Sequence, residues 1–411
     1  MAIEKNKTKK WKEIKLGEVS RLINGFAFKS KDYVEKGILN FRVANIKSDG
    51  TLNLNNCEYL PNNFSSKYKD YLLNEDDIIL VMVGATRGKL CKIPKYVLPA
   101  LMNQNMWKFR IVSKEIDRGF LYFLLKWKAP SIIEEFSDST RGFFKKDDFN
   151  SLELKIPKLS EQKVIAKTLS SVQDAITGQE DLIAKLKELK RNMMQHLFTH
   201  GTKGEKTKMT EIGEIPESWK VAELGNFLQK TKTEDPTKNP DKEFIYIDVS
   251  AVSNNFFKII SDQKLLGKDA PSRARKQIQT GDIIFATVRP TLQRIAMIPK
   301  QYNDQICSTG YCVLRVKDNI DRYFLFHYLC SDIVRRFVQG SQKGVSYPAI
   351  RDGVLFEIKL PFPDIKEQKI IGQALFAIDK KIEVANDKLL NYQNLFKTLL
   401  HEIMSGEKRI K

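Results

Sequence analysis

Glu367-Gln368-Lys369-Ile370-Ile371 opens a run in which Ile371, Leu375, Ile378, Ile382, Ala385, Leu389, Tyr392, Phe396, Leu399 and Ile403 follow at intervals of 4 and 3 without a slip. That spacing keeps one apolar stripe on one side of a helix through more than four heptads. The same ladder stands 206 positions earlier, behind Glu161-Gln162-Lys163-Val164-Ile165: Ile165, Leu169, Val172, Ile176, Gln179, Ile183, Leu186, Lys190, Met193 and Leu197. Gln179 and Lys190 interrupt it as polar seam positions, which fix register at some cost in stability. Each helix is expected to run about 39 residues, roughly 60 Å. Helices that merely cover a globular domain usually run about 8 to 20 residues. The two ladders are therefore expected to pack on each other. With one domain ahead of each, they must run antiparallel.

Working outward, the repetition extends to the whole chain of 411 residues. Leu152-Glu153-Leu154-Lys155-Ile156-Pro157 returns as Phe356-Glu357-Ile358-Lys359-Leu360-Pro361, and Trp11-Lys12…Leu16-Gly17 returns as Trp219-Lys220…Leu224-Gly225. A period of about 200 residues is too long for a solenoid unit, whose periods run roughly 20 to 50. It marks a duplicated domain-plus-connector, with a pseudo-two-fold relation and two near-equivalent surfaces. The expected division is a first domain over 11–157, a long helix over 158–200 and a linker over 201–218. A second domain over 219–361 and a second long helix over 362–405 follow. The linker reading rests on the polar, glycine-bearing Thr202-Lys203-Gly204-Glu205-Lys206-Thr207-Lys208.

Both domains read as α+β, with mixed strands and helices. Asp77-Ile78-Ile79-Leu80-Val81-Met82-Val83 and Asp282-Ile283-Ile284-Phe285-Ala286-Thr287-Val288 are β-branched runs expected as buried strands. Ile116-Asp117 and Ile320-Asp321 each precede a predicted helix of about 20 residues. By contrast Asn24 to Phe64 and Gln229 to Gln263 barely align. One scaffold carrying two different loop surfaces suits two modules with two different targets.

Composition narrows the partners. A formal charge of +19 and a pI near 9.4 favour polyanions, without indicating a fold. No apolar run approaches the roughly 18 to 20 residues that span a bilayer, so no membrane partner is expected. The lysine-rich start, Met1 to Lys10, has no apolar segment behind it and does not read as a secretory signal. Cys57, Cys91, Cys307, Cys312 and Cys330 form no C-x-x-C pair, as expected of reduced thiols in a cytoplasmic protein.

Catalytic patterns fail on inspection. Gly84-Ala85-Thr86-Arg87-Gly88-Lys89 is one residue short of a phosphate loop and has Leu90 where the Mg²⁺-binding hydroxyl belongs. Glu153-x-Lys155 and Glu357-x-Lys359 resemble half of a nuclease motif, without a convincing partner aspartate; both strands are expected to end at Pro157 and Pro361. His196 and His200 stand i, i+4 without a third ligand. Asp235-Pro236 and Asn239-Pro240 lack the second proline and aromatic of an adenine methyltransferase loop. No catalytic residue and no metal site is expected, and the chain reads as a binding protein.

The basic residues carry more. Lys29, Arg42, Arg87, Lys89, Arg141, Lys145 and Lys146 fall in expected loops of the first domain, with Phe143 and Phe144 alongside. Arg273, Arg275, Lys276, Arg289, Arg294, Gln342, Lys343 and Tyr347 do so in the second. Lys and Arg suit phosphates, while Arg, Asn and Gln suit guanine and adenine edges in the major groove. Taken together these are the expected DNA-binding residues.

At this point the chain resembles the specificity subunit of type I restriction-modification systems, from Trp11 to Ser405. The carrying residues are Pro157…Glu161-Gln162…Ile165…Leu169 and Pro361…Glu367-Gln368…Ile371…Leu375, each opening a heptad helix. Trp11…Leu16-Gly17 with Gly25-Phe26-Ala27-Phe28-Lys29-Ser30 also matches, as do Asp77-Ile78-Ile79…Gly84…Gly88-Lys89 and Asn103-Gln104. The second domain lacks the Phe-Lys-Ser segment and the glycine turn. The resemblance implies two target recognition domains reading the halves of a split double-stranded DNA site, joined by an antiparallel helix pair. It also implies two modification (methyltransferase) subunits docked on that pair, and restriction (ATPase/nuclease) subunits completing the nuclease. S-adenosylmethionine, ATP and Mg²⁺ would then sit on those partners, with no cofactor in this chain. A specificity module of a type II-like enzyme, a stand-alone nuclease or methyltransferase, and a coiled-coil adaptor that binds proteins and not nucleic acid are the rival readings.

Overall fold

The structure is a computed structural model that describes residues 11–135, 144–341 and 348–410. The chain forms two compact units, Met1–Glu180 with Lys388–Lys411, and Asp181–Asp387. The boundary cuts both long helices, Leu159–His200 and Ile365–Met404, so each unit holds one α+β domain and half of each helix.

In the first unit a four-stranded antiparallel sheet runs in the order Ser20–Asn24, Met106–Ile111, Ile78–Val81, Leu90–Lys92. The all-buried Ile78–Val81 lies inside it, as its unbroken β-branched run predicts. A smaller sheet places Ile38–Phe41 between Tyr59–Leu60, antiparallel, and Ala100–Met102, parallel. Lys12–Lys15 pairs with the exit strand Glu153–Ile156, tying entry to exit. Gly25 is required by packing: a Cβ there would stand 1.7 Å from the Asn103 carbonyl oxygen, which brings the Gly25–Ser30 and Asn103-Gln104 motifs together.

The second unit repeats this plan. Leu228–Gln229, Tyr311–Val316, Ile283–Ala286 and Ile295–Met297 form the four-stranded sheet. Glu243–Ile247 lies antiparallel to Gln263–Leu266 and parallel to Gln305–Ser308. The segments that barely align in sequence therefore share one topology. The second unit adds Ala274–Ile278 on the far side of Gln305–Ser308.

Three expectations need correction. The helix after Ile320 is broken into Arg322–Leu329 and Asp332–Gly340, because Ser331 caps the Val334 amide and starts a new helix. In the first unit the corresponding helix is continuous over Arg118–Glu135. The polar linker contains a β-hairpin, Thr207–Thr210 paired with Gly213–Pro216, and buries Ile215. Pro361 sits inside Lys359–Phe362, not at its end. That strand belongs to a two-stranded ladder with Lys220–Glu223, where a missing N–H is tolerated.

Within each unit the long helices pair antiparallel. In the first, Glu161 meets Arg409 at 2.6 Å, and Lys126 joins Gln173 (3.3 Å) to the Phe396 ring (5.3 Å). In the second, Lys190 meets Asp379 at 2.5 Å and Thr202 donates to Glu367 at 2.9 Å. In both, position rises along one helix as it falls along the other. Ile165, Leu169, Ile176, Ile183, Ile371, Leu375, Ile378, Ala385, Phe396 and Ile403 are buried, as is Gln179. Val172, Leu186, Met193, Leu197, Ile382, Leu389, Tyr392 and Leu399 are half-buried, so the ladder faces inward along its whole length.

Candidate nucleic-acid interface

What holds each domain on its helix is the repeated Glu-Gln pair. In the first unit Gln162 accepts from the Asp117 amide (2.8 Å) and donates to the Glu115 and Pro157 carbonyls (2.8 and 2.9 Å). In the second Gln368 accepts from the Asp321 amide (2.8 Å) and donates to the Pro363 carbonyl (3.0 Å). Both glutamines are fully buried, and each fixes the first turn of a long helix to the N-terminus of a domain helix. Asp117 and Asp321 in turn cap those domain helices.

The neighbouring glutamates do different work. Glu161 pairs with Arg409, beyond the end of the second long helix. Glu367 is 2% exposed and accepts from Thr202 N and Oγ1 (both 2.9 Å), from Trp219 Nε1 (3.2 Å) and from Lys203. Burial alone would raise its pKa. Those hydrogen bonds more than offset it and hold the carboxyl below the usual range.

Lys190, the polar seam residue, belongs to a chain of partly buried contacts in the second unit. Asp379 takes its ammonium on one oxygen and His327 Nε2 (2.9 Å) on the other, and His327 Nδ1 faces the Tyr323 carbonyl (2.6 Å). Burial of Asp379 opposes its charge. The His327 hydrogen bond and the Lys190 charge outweigh that and lower its pKa. Sequence reading found Lys190 but missed His327 and Asp379, since nothing local marks a tertiary triad.

Around this frame the basic residues sort by what their side chains touch. Lys89 donates to the Ile46 carbonyl (3.0 Å) and Lys146 to the Leu22 carbonyl (3.0 Å). Arg42 reaches the Asn56 carbonyl and Glu58. Arg294 donates to the Val249, Ser250 and Val252 carbonyls (3.2, 3.0 and 3.0 Å). Arg275 holds Asp235 and the Ala274 carbonyl, and Lys276 holds Asp352 (2.6 Å) and the Tyr311 carbonyl (2.7 Å). All six are held by internal contacts, and three are not in the loops expected of them: Arg275 and Lys276 stand in the strand Ala274–Ile278, and Lys146 opens the short helix Lys146–Asn150. Lys29, Lys145, Arg273 and Arg289 are exposed and Arg87 half-exposed, all at loop positions. Arg141, Gln342, Lys343 and Tyr347 lie outside the described residues.

The equivalent turns after the central strands make the sharpest contrast. In the first unit Gly84 and Gly88 take positive φ (82° and 88°). In the second the same two places, after the same strand, hold Arg289 and Gln293 at φ 47° and 48°. Each non-glycine residue in that region costs about 1 kcal/mol. Lys89 and Arg294, one residue past the turn, pin it to equivalent 3₁₀ turns, Val43–Asn45 and Val249–Ala251.

The patterns that resembled catalytic motifs are occupied structurally. Lys155 pairs with Glu13 across an exposed ladder (3.5 Å), and Lys359 with Glu223 (2.8 Å). Among the described residues no group of three or more His, Cys, Asp or Glu is placed to hold a metal, and no helix is long and apolar enough to cross a membrane.

Comparison with known proteins places this architecture. The chain is 28% identical over 371 residues to the type I restriction enzyme MjaVIII specificity subunit of Methanocaldococcus jannaschii, covering 86% of this chain and 85% of that one. The crystal structure of the type I restriction-modification S subunit from M. genitalium aligns over 97% of this chain and 96% of its own, with a TM-score of 0.64 at 18% identity. The HsdS subunit of Thermoanaerobacter tengcongensis is 38% identical over 45% of this chain, with a TM-score of 0.39; the match spans about half (48%) of that subunit's length. A family model, the type I restriction modification DNA specificity domain, matches twice, over residues 8–188 and 216–391. The chain belongs to that family and carries its domain in two copies.

Proposed function

We propose that each domain reads one half of a split double-stranded DNA target, and that the paired helices set the interval between the halves. The chain itself performs no reaction. Two modification subunits dock on it and methylate adenine, one in each half-site, and restriction subunits add ATP-dependent cleavage. S-adenosylmethionine, ATP and Mg²⁺ belong to those partners.

The observation that carries this reading is one topology built twice with different turns, each copy clamped by the same glutamine to a shared helix pair. Two unlike modules can read two unlike sequences, which one continuous surface does poorly. An excess of 19 positive charges supplies the sequence-independent attraction to phosphates. Arg and Gln at turn tips supply groups that recognise base edges. Methylating a base in duplex DNA requires flipping it into a pocket, a task assigned here to the partner.

Methylation-sensitive sequencing of the host genome tests this, with and without an intact copy of this chain. The expected result is a motif of two unlike halves at a fixed interval, methylated only when the chain is present. A contiguous motif, or methylation that persists without the chain, would refute the proposal.

A further inference from the structure

We infer that Arg289 is a specificity-determining residue of the second domain, presented at the tip of its turn to read a guanine edge in that domain's half-site. The inference rests on the DNA-reading function proposed above. The first unit shows that this turn closes with glycine: Gly84 stands at φ 82°, and a Cβ there would meet nothing within 4 Å. Glycine is present for its backbone freedom and not for lack of space. The second unit keeps the left-handed conformation at the equivalent place and installs an arginine, exposed, at φ 47° and ψ 53°.

Arg289 is not alone in this region: Asp76, Asn105, Phe257, Gln293 and Asp304 are also non-glycine residues at positive φ. Asp76 stands where the second unit has Gly281, but aspartate enters this region readily, and its carboxylate pairs with Lys92 at 3.0 Å. Arginine has no such local tolerance.

The turn is also braced as a reading head requires. Thr287 N donates to the Gly310 carbonyl (2.8 Å), Arg289 N to the Pro348 carbonyl (2.8 Å) and Ile350 N to the Thr287 carbonyl (2.9 Å). Arg294 ties its far side to the 3₁₀ turn Val249–Ala251. Strain kept at an exposed residue of a braced turn points from conformation to function. The guanidinium fork matches O6 and N7 of guanine bidentately.

The test is methylation-sensitive sequencing in the host carrying wild type, Arg289→Gly or Arg289→Lys, together with thermal melting of each purified full-length chain. Glycine relieves the backbone, so Arg289→Gly is expected to melt no lower than wild type. Sites altered at one base pair of one half should become methylated, with a loss of discrimination of roughly 5- to 150-fold at that position. Arg289→Lys, which keeps the charge and loses the fork, should relax the same base pair. The other half of the motif should not change. An unaltered motif in both variants would overturn the assignment while leaving the two-module reading intact. So would a glycine variant that unfolds, since the side chain would then be structural. A wild type with no split motif would overturn both.

Discussion

The two units differ least where they grip the helices and most where they turn outward. Gln162 and Gln368 make the same kind of bonds to Asp117 and Asp321. The turns after Ile78–Val81 and Ile283–Ala286 share backbone conformation but exchange two glycines for Arg289 and Gln293. The lesson is that the frame is specified by buried hydrogen bonds to backbone, which accept few substitutes, whereas turn tips carry side chains that can vary without disturbing it.

Several experiments would break or sharpen this comparison. The largest effect is expected at Glu367. Removing its carboxylate (Glu367→Ala) strands the Trp219 indole N–H and the Thr202 amide, at a cost of about 3 kcal/mol. Glu161→Ala, which breaks one ion pair to a partly exposed Arg409, should cost about 1 kcal/mol. Denaturant unfolding measures both, and equal losses would contradict the asymmetry. A pH profile sharpens it. The folded pKa of Glu367 is depressed, so its contribution is present above the ordinary value of 4.5 and is lost as pH falls through the folded pKa. Glu367→Gln should therefore lose less stability than wild type on acidification from about pH 5 to pH 3.

Gln162→Ala and Gln368→Ala should cost similar amounts, about 2 kcal/mol each, by the same unfolding measurement. A loss confined to one copy would break the equivalence of the clamps. Lys190→Met should cost about 1.5 kcal/mol by removing a charged partner from Asp379. Smallest are the cations at exposed or half-exposed loop positions. Alanine at Lys29, Arg87 or Arg273 should weaken DNA binding evenly across sequences and lower the slope of log K against log salt by about 0.9 for each phosphate no longer neutralised. Equilibrium titrations at several salt concentrations read that slope.

How much of this the sequence revealed follows from where each interaction lives. Heptad spacing is a local signal, so both ladders and their polar interruptions were legible from residue type, and their antiparallel pairing followed from the order of the two repeats. The helix break at Ser331 was not, because a single capping hydroxyl inside an apolar run resembles any other tolerated serine. The shared topology of the poorly aligned segments stayed hidden because strand pairing depends on pattern and partner rather than identity. Among the basic residues, composition gives their number but not their employment. Lys89, Lys146 and Arg294 are bound to carbonyls from distant segments, and no local pattern marks those partners.

The central claim, that two readers are held at a set interval by the paired helices, is tested most directly by deleting one heptad from each long helix. The methylated motif of the host genome is then sequenced. A heptad is about 10 Å of helix, close to 3 base pairs of duplex. The account predicts a motif with both halves unchanged and the interval shortened by about that amount. An unchanged interval, or a change in the bases of either half, would contradict it.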